Sequence, residues 1–349
     1  MHRIFRLIAA VSALVLVGAW SPHAIADDIL GAGATFPYPV YAKWAEAYKQ
    51  KTGVGLNYQS IGSGGGIKQI EASTVTFGAS DKPLEPADLK QNGLVQWPQI
   101  IGGVVPVVNI PGIKPGDLVL DGATLAAIYQ GDISRWNDPA IKKLNPSLNL
   151  PKLDIAPVYR SDGSGTNFLF TNYLSQVSPG FAKAVGANTS VQWPVGIGAK
   201  GNEGVANQTT QTSGAIGYVE YAYVKQTNMI FTRLINKEGK AVAPEAKAFQ
   251  AAAVSADWAH ADGYYLILTN QPGAGSWPIT GASFILVHAD GKDPNTQAAL
   301  KFFDWAYSQG KSLAENLDYV PLPETVTRLI EKTWQDSIRV NGKAVWPAK

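Results

Sequence analysis

The sequence predicts an α/β protein built from two lobes. Short strands are repeatedly followed by a glycine-containing turn and a helix start, at residues 29–52, 54–73 and 155–174. Removing a predicted leader of 26 residues from the 349 leaves 323, which is too many for one typical core. A nearly continuous β-branched run at residues 100–110 is typical of a buried strand, and it is placed to carry the chain from the first lobe into the second.

The first 26 residues have the pattern of a secretory signal peptide. His2, Arg3 and Arg6 precede an apolar run of 14 residues, and Ala24-Ile25-Ala26 forms a small-x-small cleavage site. The run is shorter than the roughly 20 residues that cross a bilayer, so a retained membrane anchor is the weaker interpretation. We therefore expect cleavage after Ala26 and a mature protein in the periplasm.

Composition limits the possible partners of the mature chain. Loss of Arg3 and Arg6 leaves 27 basic residues against 27 acidic ones, so the net charge is zero. Nucleic acids and acidic membrane surfaces attract chains with a clear basic excess, and neither is expected to bind here. The sequence has no cysteine, which excludes disulfides, thiolate metal sites and a lipid-modified cysteine. An anion site in this chain would have to work through local geometry.

The first helix start follows a short strand at residues 29–33. Apolar and aromatic residues then recur at spacings of three and four, which predicts an amphipathic helix over residues 39–52. Gly53 stands where a C-cap glycine is common. Thr35 and Phe36 are therefore expected at a helix N-terminus, where backbone N–H groups have no partner within the helix.

A second strand leads into the glycine run GSGGG at residues 62–66, which we interpret as a loop before a short helix at residues 67–73. The run is not a P-loop, because Lys68 lacks the flanking glycine and hydroxyl residue of that motif. Ser63 and Ser164 also lack the paired glycines of a nucleophile elbow. Both serines are predicted to be hydrogen-bond donors.

The next strand, at residues 76–80, ends in the carboxylate of Asp81. This residue has two possible roles that the local sequence does not separate. It could cap the helix that follows near residues 86–93. Alternatively it faces an anion pocket, where like charges repel unless the ligand brings a proton to share.

Residues 160–166, with the sequence RSDGSGT, form the strongest candidate for a binding loop. They lie between a strand and a helix start, and the two glycines let the backbone come close to a ligand. Free N–H groups at the helix start, two hydroxyl side chains and the guanidinium of Arg160 together suit a tetrahedral oxyanion. The alternative is an ordinary capped turn in which Arg160 pairs with Asp162, and the motif alone leaves both interpretations open.

The remaining segments are predicted from turn chemistry and periodicity. The glycine-rich residues 196–204 are interpreted as a surface loop, and residues 215–224 as a strand. Residues 237–240 are predicted to form a hairpin turn. Residues 295–310 and 323–338 have the pattern of amphipathic helices whose apolar faces belong to the core.

Residue patterns for catalysis or metal binding are missing. After removal of the leader, His260 and His288 are the histidines that remain, and neither has a second histidine at metal-ligand spacing. Spacing also suggests no Ser/His/Asp arrangement. We expect a protein without cofactor, without metal and without enzyme activity.

Several motifs together resemble the periplasmic phosphate-binding protein of bacterial high-affinity phosphate ABC transporters. The motifs, in order and spacing, are GAGATFP at 31–37, IGSGGG at 61–66, FGASD at 77–81 and RSDGSGT at 160–166, followed by GAIGYVEYAY at 214–223 and LKFFDWAY at 300–307. The resemblance implies a periplasmic-binding-protein fold, similar to type II, in which two α/β lobes close on one phosphate ion. The expected lobes are residues 27–104 with 274–349, and residues 105–273.

The resemblance also implies partners and a ligand set. The protein is expected to be a monomer that delivers inorganic phosphate to the inner-membrane permease subunits of an ABC transporter. Arg160 would contact the ion while Asp162 holds it, and Asp81 would accept the proton of the bound phosphate. The implied phosphate-binding residues are Ala34, Thr35, Phe36, Ser63, Asp81, Arg160, Asp162, Ser164, Gly165 and Thr166.

Three other functions remain open at this point. The ligand could be another tetrahedral oxyanion such as sulfate or molybdate, although sulfate has no proton at neutral pH and would face a bare carboxylate at Asp81. The protein could be a secreted phosphatase with Ser63 or Ser164 as nucleophile, although no base or metal ligand is evident. It could also be an adhesin or scaffold that uses the same fold without a ligand.

Overall fold

The computed structural model describes residues 28–347, so the predicted signal peptide and its cleavage site lie outside the described residues. The strands are β1 (Ile29–Gly33), β2 (Leu56–Ser60), β3 (Phe77–Ser80), β4 (Leu94–Val108), β5 (Val119–Leu120), β6 (Ala156–Arg160), β7 (Ile197–Ala199), β8 (Ala215–Glu220), β9 (Ile230–Phe231), β10 (Arg233–Ile235), β11 (Ala241–Val242), β12 (Thr280–His288), β13 (Arg339–Val340) and β14 (Lys343–Ala344). The α-helices are α1 (Tyr38–Thr52), α2 (Ser63–Glu71), α3 (Pro86–Asn92), α4 (Gly122–Gln130), α5 (Pro139–Leu144), α6 (Gly165–Val177), α7 (Pro179–Ala184), α8 (Gly201–Gln211), α9 (Tyr221–Gln226), α10 (Ala246–Ala253), α11 (Thr296–Ser308), α12 (Lys311–Glu315) and α13 (Glu324–Ser337).

One sheet of nine strands organises the described part of the chain. Its order is β2-β1-β3-β12-β4-β8-β6-β7, and β9 also pairs with β4. Strands β1, β2 and β3 are parallel to one another, whereas β12 is antiparallel to both β3 and β4. Beyond β4, β8 is antiparallel to β4 and parallel to β6. Of the helices in residues 28–347, none combines the length and the apolar character needed to span a membrane.

Strand β4 joins the two halves of this sheet. Its residues 94–103 pair with β12, and its residues 104–108 pair with β8. The strand is buried along almost its whole length, which explains the uninterrupted apolar run in the sequence. The run thus passes from one half of the sheet to the other, and β12 runs antiparallel beside it.

Helix α1 forms as the periodicity predicted. It buries Val40, Tyr41, Trp44 and Tyr48. It ends at Gly53, which has a left-handed φ of 78° and donates its N–H to the carbonyl of Lys49. The predicted C-terminal helices are also present, as α11 and α13, and the hairpin turn lies between β10 and β11.

The glycine run at residues 62–66 is not the loop that the sequence predicted, because helix α2 already begins at Ser63. A Cβ atom on Gly66 would lie 2.5 Å from the Cα atom of Gly33, and one on Gly64 would lie 3.1 Å from the Cα atom of Gly163. The glycines therefore allow the first turn of the helix to touch neighbouring backbone. This close packing outweighs the low helix propensity of glycine.

Two other segments differ from their predictions. Residues 196–204 are not a surface loop, since β7 adds to the sheet there and α8 begins at the buried residue Gly201. Residues 221–226 form α9 and do not continue strand β8, because the side chain of Glu220 caps the helix by accepting a hydrogen bond from the N–H of Ala222. In both segments a strand-to-helix junction lies where the sequence predicted a single loop or a single strand.

Candidate anion-binding site

Polar groups from five chain segments meet between the two halves of the sheet. The segments are the end of β1, the start of α2, the residue after β3, the turn from β6 into α6, and the start of α8. Crevices beyond the carboxyl ends of strands are the usual ligand sites of open α/β sheets. The predicted side chains are at most 3% exposed, namely those of Thr35, Ser63, Asp81, Arg160, Ser164 and Thr166.

The turn after β1 presents two backbone donors. Among the described residues, the N–H groups of Thr35 and Phe36 have no hydrogen-bond acceptor. Ala34 differs from them, since its N–H donates to the carbonyl of Ala79 at 2.9 Å and its own carbonyl accepts from the hydroxyl of Tyr58 at 2.7 Å. Ala34 therefore fixes the turn and has no backbone group left for a ligand.

Ser63 connects the segments around it. Its Oγ accepts hydrogen bonds from the N–H of Asp81 at 3.2 Å and from the N–H of Gly165 at 3.0 Å. The hydroxyl hydrogen of Ser63 is then free to donate to a third group. Gly165 has to be glycine here, because a Cβ atom would lie 2.5 Å from the Cβ of Asp81 and 2.6 Å from the Oγ of Ser63.

Asp81 is the acidic group of the site. Its Oδ1 accepts a hydrogen bond from the hydroxyl of Ser283 at 2.7 Å. Its Oδ2 is buried and has no partner among the described residues. Burial raises the pKa of this carboxyl from 3.8 to about 7, against the lowering effects of Ser283 and Arg160. Near neutral pH, Asp81 therefore exists in both the protonated and the ionised form.

Arg160 and Asp162 form a buried pair. The Nε of Arg160 donates to Oδ1 of Asp162 at 2.8 Å, and Nη2 donates to Oδ2 at 2.6 Å. Burial raises the pKa of Asp162, but the hydrogen bonds and the charge of Arg160 outweigh it, so the net pKa is lowered. The pairing expected of a capped turn is thus present. It leaves Nη1 of Arg160 buried without a partner among the described residues, so the pairing is compatible with an anion contact.

The start of α6 is capped in the way that the sequence predicted. Ser164 is the N-cap residue, and its Oγ accepts from the N–H of Asn167 at 3.0 Å. The N–H of Thr166 has no acceptor among residues 28–347. The hydroxyl hydrogens of Ser164 and Thr166 also have none. This helix start adds three donors to the site.

Two residues of the site were missed by the sequence analysis. Asn202 donates hydrogen bonds to the hydroxyl oxygens of Thr35 and Thr166, and Ser283 holds Asp81. The pattern before Asn202, a short strand followed by a glycine and a helix start, is the same pattern that identified the other loops, so it could have been found. Ser283 lies inside β12, and nothing in its local sequence indicates a contact with Asp81.

The assembled groups combine many free donors with a free acceptor on an acidic side chain. The free acceptor is Oδ2 of Asp81, and the facing donors are Nη1 of Arg160, backbone N–H groups and hydroxyl hydrogens. In the part of the chain that the structure describes, no three His, Cys, Asp or Glu side chains are grouped for a metal ion. The fold and this pattern define a binding protein whose cleft between two lobes suits a small oxyanion.

Comparison with known proteins identifies the family. Residues 21–309 match the model of the PBP superfamily domain. The chain is 54% identical over 323 residues to the phosphate-binding protein PstS of Pasteurella multocida, a match that covers 92% of this chain and 94% of the relative. It is 52% identical over 319 residues to PstS of Haemophilus influenzae, covering 91% of this chain and 96% of the relative. This chain belongs to the PstS family of phosphate-binding proteins.

A solved structure supports the fold. The crystal structure of a phosphate-binding protein from Stenotrophomonas maltophilia superimposes with a TM-score of 0.64 at 20% identity, and the match covers 91% of this chain and 97% of that one. The prediction of a two-lobed periplasmic-binding-protein fold is confirmed, and so is the resemblance to the phosphate-binding family.

Proposed function

We propose that this protein captures inorganic phosphate between its lobes and delivers it to the inner-membrane permease of an ABC transporter. One observation carries the proposal: a buried carboxylate oxygen on Asp81 and a buried N–H group on Arg160 lack partners in the same donor-rich space. A ligand that fits this space must accept several hydrogen bonds and donate one. Protonated phosphate has these properties.

The proposed ligand set follows from which groups remain free. Thr35 and Phe36 would bind through backbone N–H groups, and Arg160 through Nη1. Hydroxyl donors come from Thr35, Ser63, Ser164 and Thr166, and Gly165 offers its N–H once the ion displaces Ser63. Asp162 acts through Arg160, and Ala34 acts by shaping the turn.

Hydrogen bonds have to replace the water around a multiply charged ion. A bond to a charged group contributes about 1.5–3 kcal/mol net, so several are needed to offset desolvation. The three strand-to-helix turns and one arginine supply that number. A chain with 27 acidic and 27 basic residues outside the leader can therefore bind an anion without a basic excess.

Asp81 provides the selection between oxyanions. A phosphate that carries a proton can donate it to the free Oδ2, whereas sulfate places an acceptor oxygen against the same atom. An unpaired buried charge costs several kcal/mol, so the proposed site disfavours sulfate whenever Asp81 is ionised.

We place the lobes at residues 27–104 with 274–349, and at residues 105–273. The change of β4 from pairing with β12 to pairing with β8 falls between residues 103 and 104, which supports a boundary near this point. Contacts between these lobes surround the site: the N–H of Gly64 donates to the carbonyl of Gly163 at 2.9 Å, and the hydroxyl of Tyr223 donates to the carbonyl of Thr35 at 2.6 Å. The protein acts as a monomer in the periplasm after cleavage of the signal peptide behind Ala26.

A phosphatase is the less favoured candidate. The oxygens of Ser63 and Ser164 accept from N–H groups, which cannot remove a proton from a nucleophile. His260 bonds to the exposed Asp257, and His288 bonds to the carbonyl of Ile70. Neither histidine of the described chain is bonded to a site serine, so the geometry favours binding without turnover.

Isothermal titration calorimetry with phosphate-free protein tests the proposed function. We expect saturable binding of one phosphate per chain, and much weaker binding of sulfate and molybdate. The same preparation should release no product from a chromogenic phosphate ester. Absence of phosphate binding, or preference for sulfate, would refute the proposal, and turnover of the ester would favour the phosphatase.

A further inference from the structure

We propose that Asn202 is a positioning residue that orients the hydroxyls of Thr35 and Thr166 as donors toward bound phosphate. This inference rests on the proposed function and extends it to a residue that does not itself touch the ion. It starts from the contacts of one fully buried amide at the start of α8.

Asn202 uses all of its polar groups inside the protein. Its Nδ2 donates to Oγ1 of Thr35 at 2.6 Å and to Oγ1 of Thr166 at 3.2 Å. Its backbone N–H donates to the same oxygen of Thr35 at 3.1 Å. Its Oδ1 accepts from the backbone N–H of Glu220 at 2.9 Å.

The contact with Glu220 fixes which end of the amide carries the hydrogens. A backbone N–H can only donate, so the amide atom beside it has to be the oxygen. The other end, which faces the two threonines, is then the NH₂ group. Asn202 can therefore only donate to Thr35 and Thr166.

Two accepted hydrogen bonds fill both lone pairs of the Thr35 hydroxyl oxygen. Its remaining function is to donate, and no acceptor for its hydrogen is found among the described residues. The Thr166 oxygen accepts one bond from the same NH₂ group, which favours the same polarity. Each hydroxyl is thereby held ready for an oxygen that carries no proton.

This arrangement also orients the ligand. Oxygens without a proton are preferred at Thr35 and Thr166, so the proton of phosphate is directed away from them and toward the unpaired Oδ2 of Asp81. The N–H of Gly201 donates to Oδ1 of Asp162 at 3.1 Å, which anchors the start of α8 to the pair that holds Arg160. Asn202 lies in the proposed second lobe and Thr35 in the first, so their bonds form across the cleft.

A thermodynamic cycle measured by phosphate calorimetry tests this role. The variants are Asn202→Ala, the double variant Thr35→Val with Thr166→Val, and the triple variant that combines all three. Asn202→Ala should weaken phosphate binding about tenfold or more, since at least one donor loses its orientation. In the background without the two hydroxyls, the same change should cost at most about twofold, because Asn202 acts through them. Asn207→Ala, on the exposed face of α8, is the matched control and should bind as wild type does.

Asn202→Asp provides a second test that keeps the shape of the side chain. Its carboxylate can still accept from Glu220, but it would accept the threonine hydrogens instead of donating to them. We expect a loss larger than that of Asn202→Ala, with the folded state checked by circular dichroism. Equal losses from Asn202→Ala in both backgrounds, or near wild-type binding by Asn202→Asp, would overturn the positioning role alone. A wild-type chain that binds no phosphate would overturn the proposed function and this inference with it.

Discussion

Replacing Asp81 with Asn should remove the pH dependence of anion selectivity that comes from the carboxyl group. In the wild type, the ionised carboxylate of Asp81 leaves Oδ2 unpaired against sulfate, whereas the protonated carboxyl can donate a hydrogen bond to a sulfate oxygen. Sulfate brings no proton of its own, so its binding requires the protonated form of Asp81. Phosphate still carries a proton at moderately alkaline pH, so its binding does not require a protonated Asp81.

The magnitude follows from the pKa of Asp81, which burial raises to about 7. Each pH unit above that value adds about 1.4 kcal/mol to the cost of protonating the acid. At about pH 9 the cost is about 3 kcal/mol, so sulfate should bind up to about a hundredfold more weakly than it does well below pH 7. The preference for phosphate should therefore rise as pH increases through about 7.

Competition calorimetry of phosphate and sulfate from about pH 6 to about pH 9, at constant ionic strength, measures this ratio. Asp81→Asn does not titrate and offers an NH₂ donor to sulfate at every pH, so its ratio should be lower, and any remaining change with pH should follow the second ionisation of phosphate itself. Ser283→Ala removes a hydrogen bond that lowers the pKa, so the rise should move to higher pH. A wild-type ratio that does not change with pH, or the same rise in the Asn variant, would refute the reasoning.

Three further outcomes follow from the same geometry. Folding raises the pKa of Asp81 from 3.8 to about 7, so the stability contributed by the protonated carboxyl is fully present below about pH 4 and is lost as pH rises through about 7. At about pH 9 the ligand-free Asp81→Asn variant should therefore have a higher free energy of unfolding in urea than wild type, by up to about 4 kcal/mol. Arg160→Ala removes the buried Nη1 donor and should weaken phosphate binding by about 1.5–3 kcal/mol in calorimetry; unchanged affinity would exclude a contact with the ion. Gly165→Ala places a Cβ 2.5 Å from the Cβ of Asp81 and should weaken phosphate binding by about 1–3 kcal/mol. In Gly180→Ala the new Cβ has no neighbour nearer than 3.8 Å, so this control variant should bind phosphate as wild type does. Equal affinities in the two variants would contradict the close packing at Gly165.

The parts of the site that were predictable from sequence are those set by local chemistry. A strand followed by glycines and a small polar residue predicts a helix start nearby, as at Thr35, Ser63 and Ser164, although α2 begins at Ser63 and not at residue 67 as predicted. Asp81 was notable because it ended a strand. The family resemblance then implied that these separate turns meet in one place.

What could not be predicted depends on contacts between distant parts of the chain. The bond from Ser283 to Asp81 joins residues 202 positions apart, and the bond from Asn202 to Thr35 joins residues 167 positions apart. The helical state of the glycines at 62–66 depends on backbone contacts with Gly33 and Gly163, which no local propensity contains. The pKa of Asp81 is likewise a product of burial, which exists only in the folded chain.

Charge nearly cancels among Arg160, Asp162 and Asp81 before any ligand enters, and we expect this balance to underlie the proposed selectivity. The guanidinium of Arg160 is already paired with an ionised Asp162, and Asp81 is only partly ionised near neutral pH. Attraction for an anion then comes from N–H and O–H dipoles, most of which are free before the ion arrives, the N–H of Gly165 being the exception. A strongly basic pocket would hold sulfate and phosphate alike, since both are attracted by the same charge. Where the fixed charges nearly balance, the unpaired Oδ2 of Asp81 would be enough to decide between an oxyanion that carries a proton and one that does not.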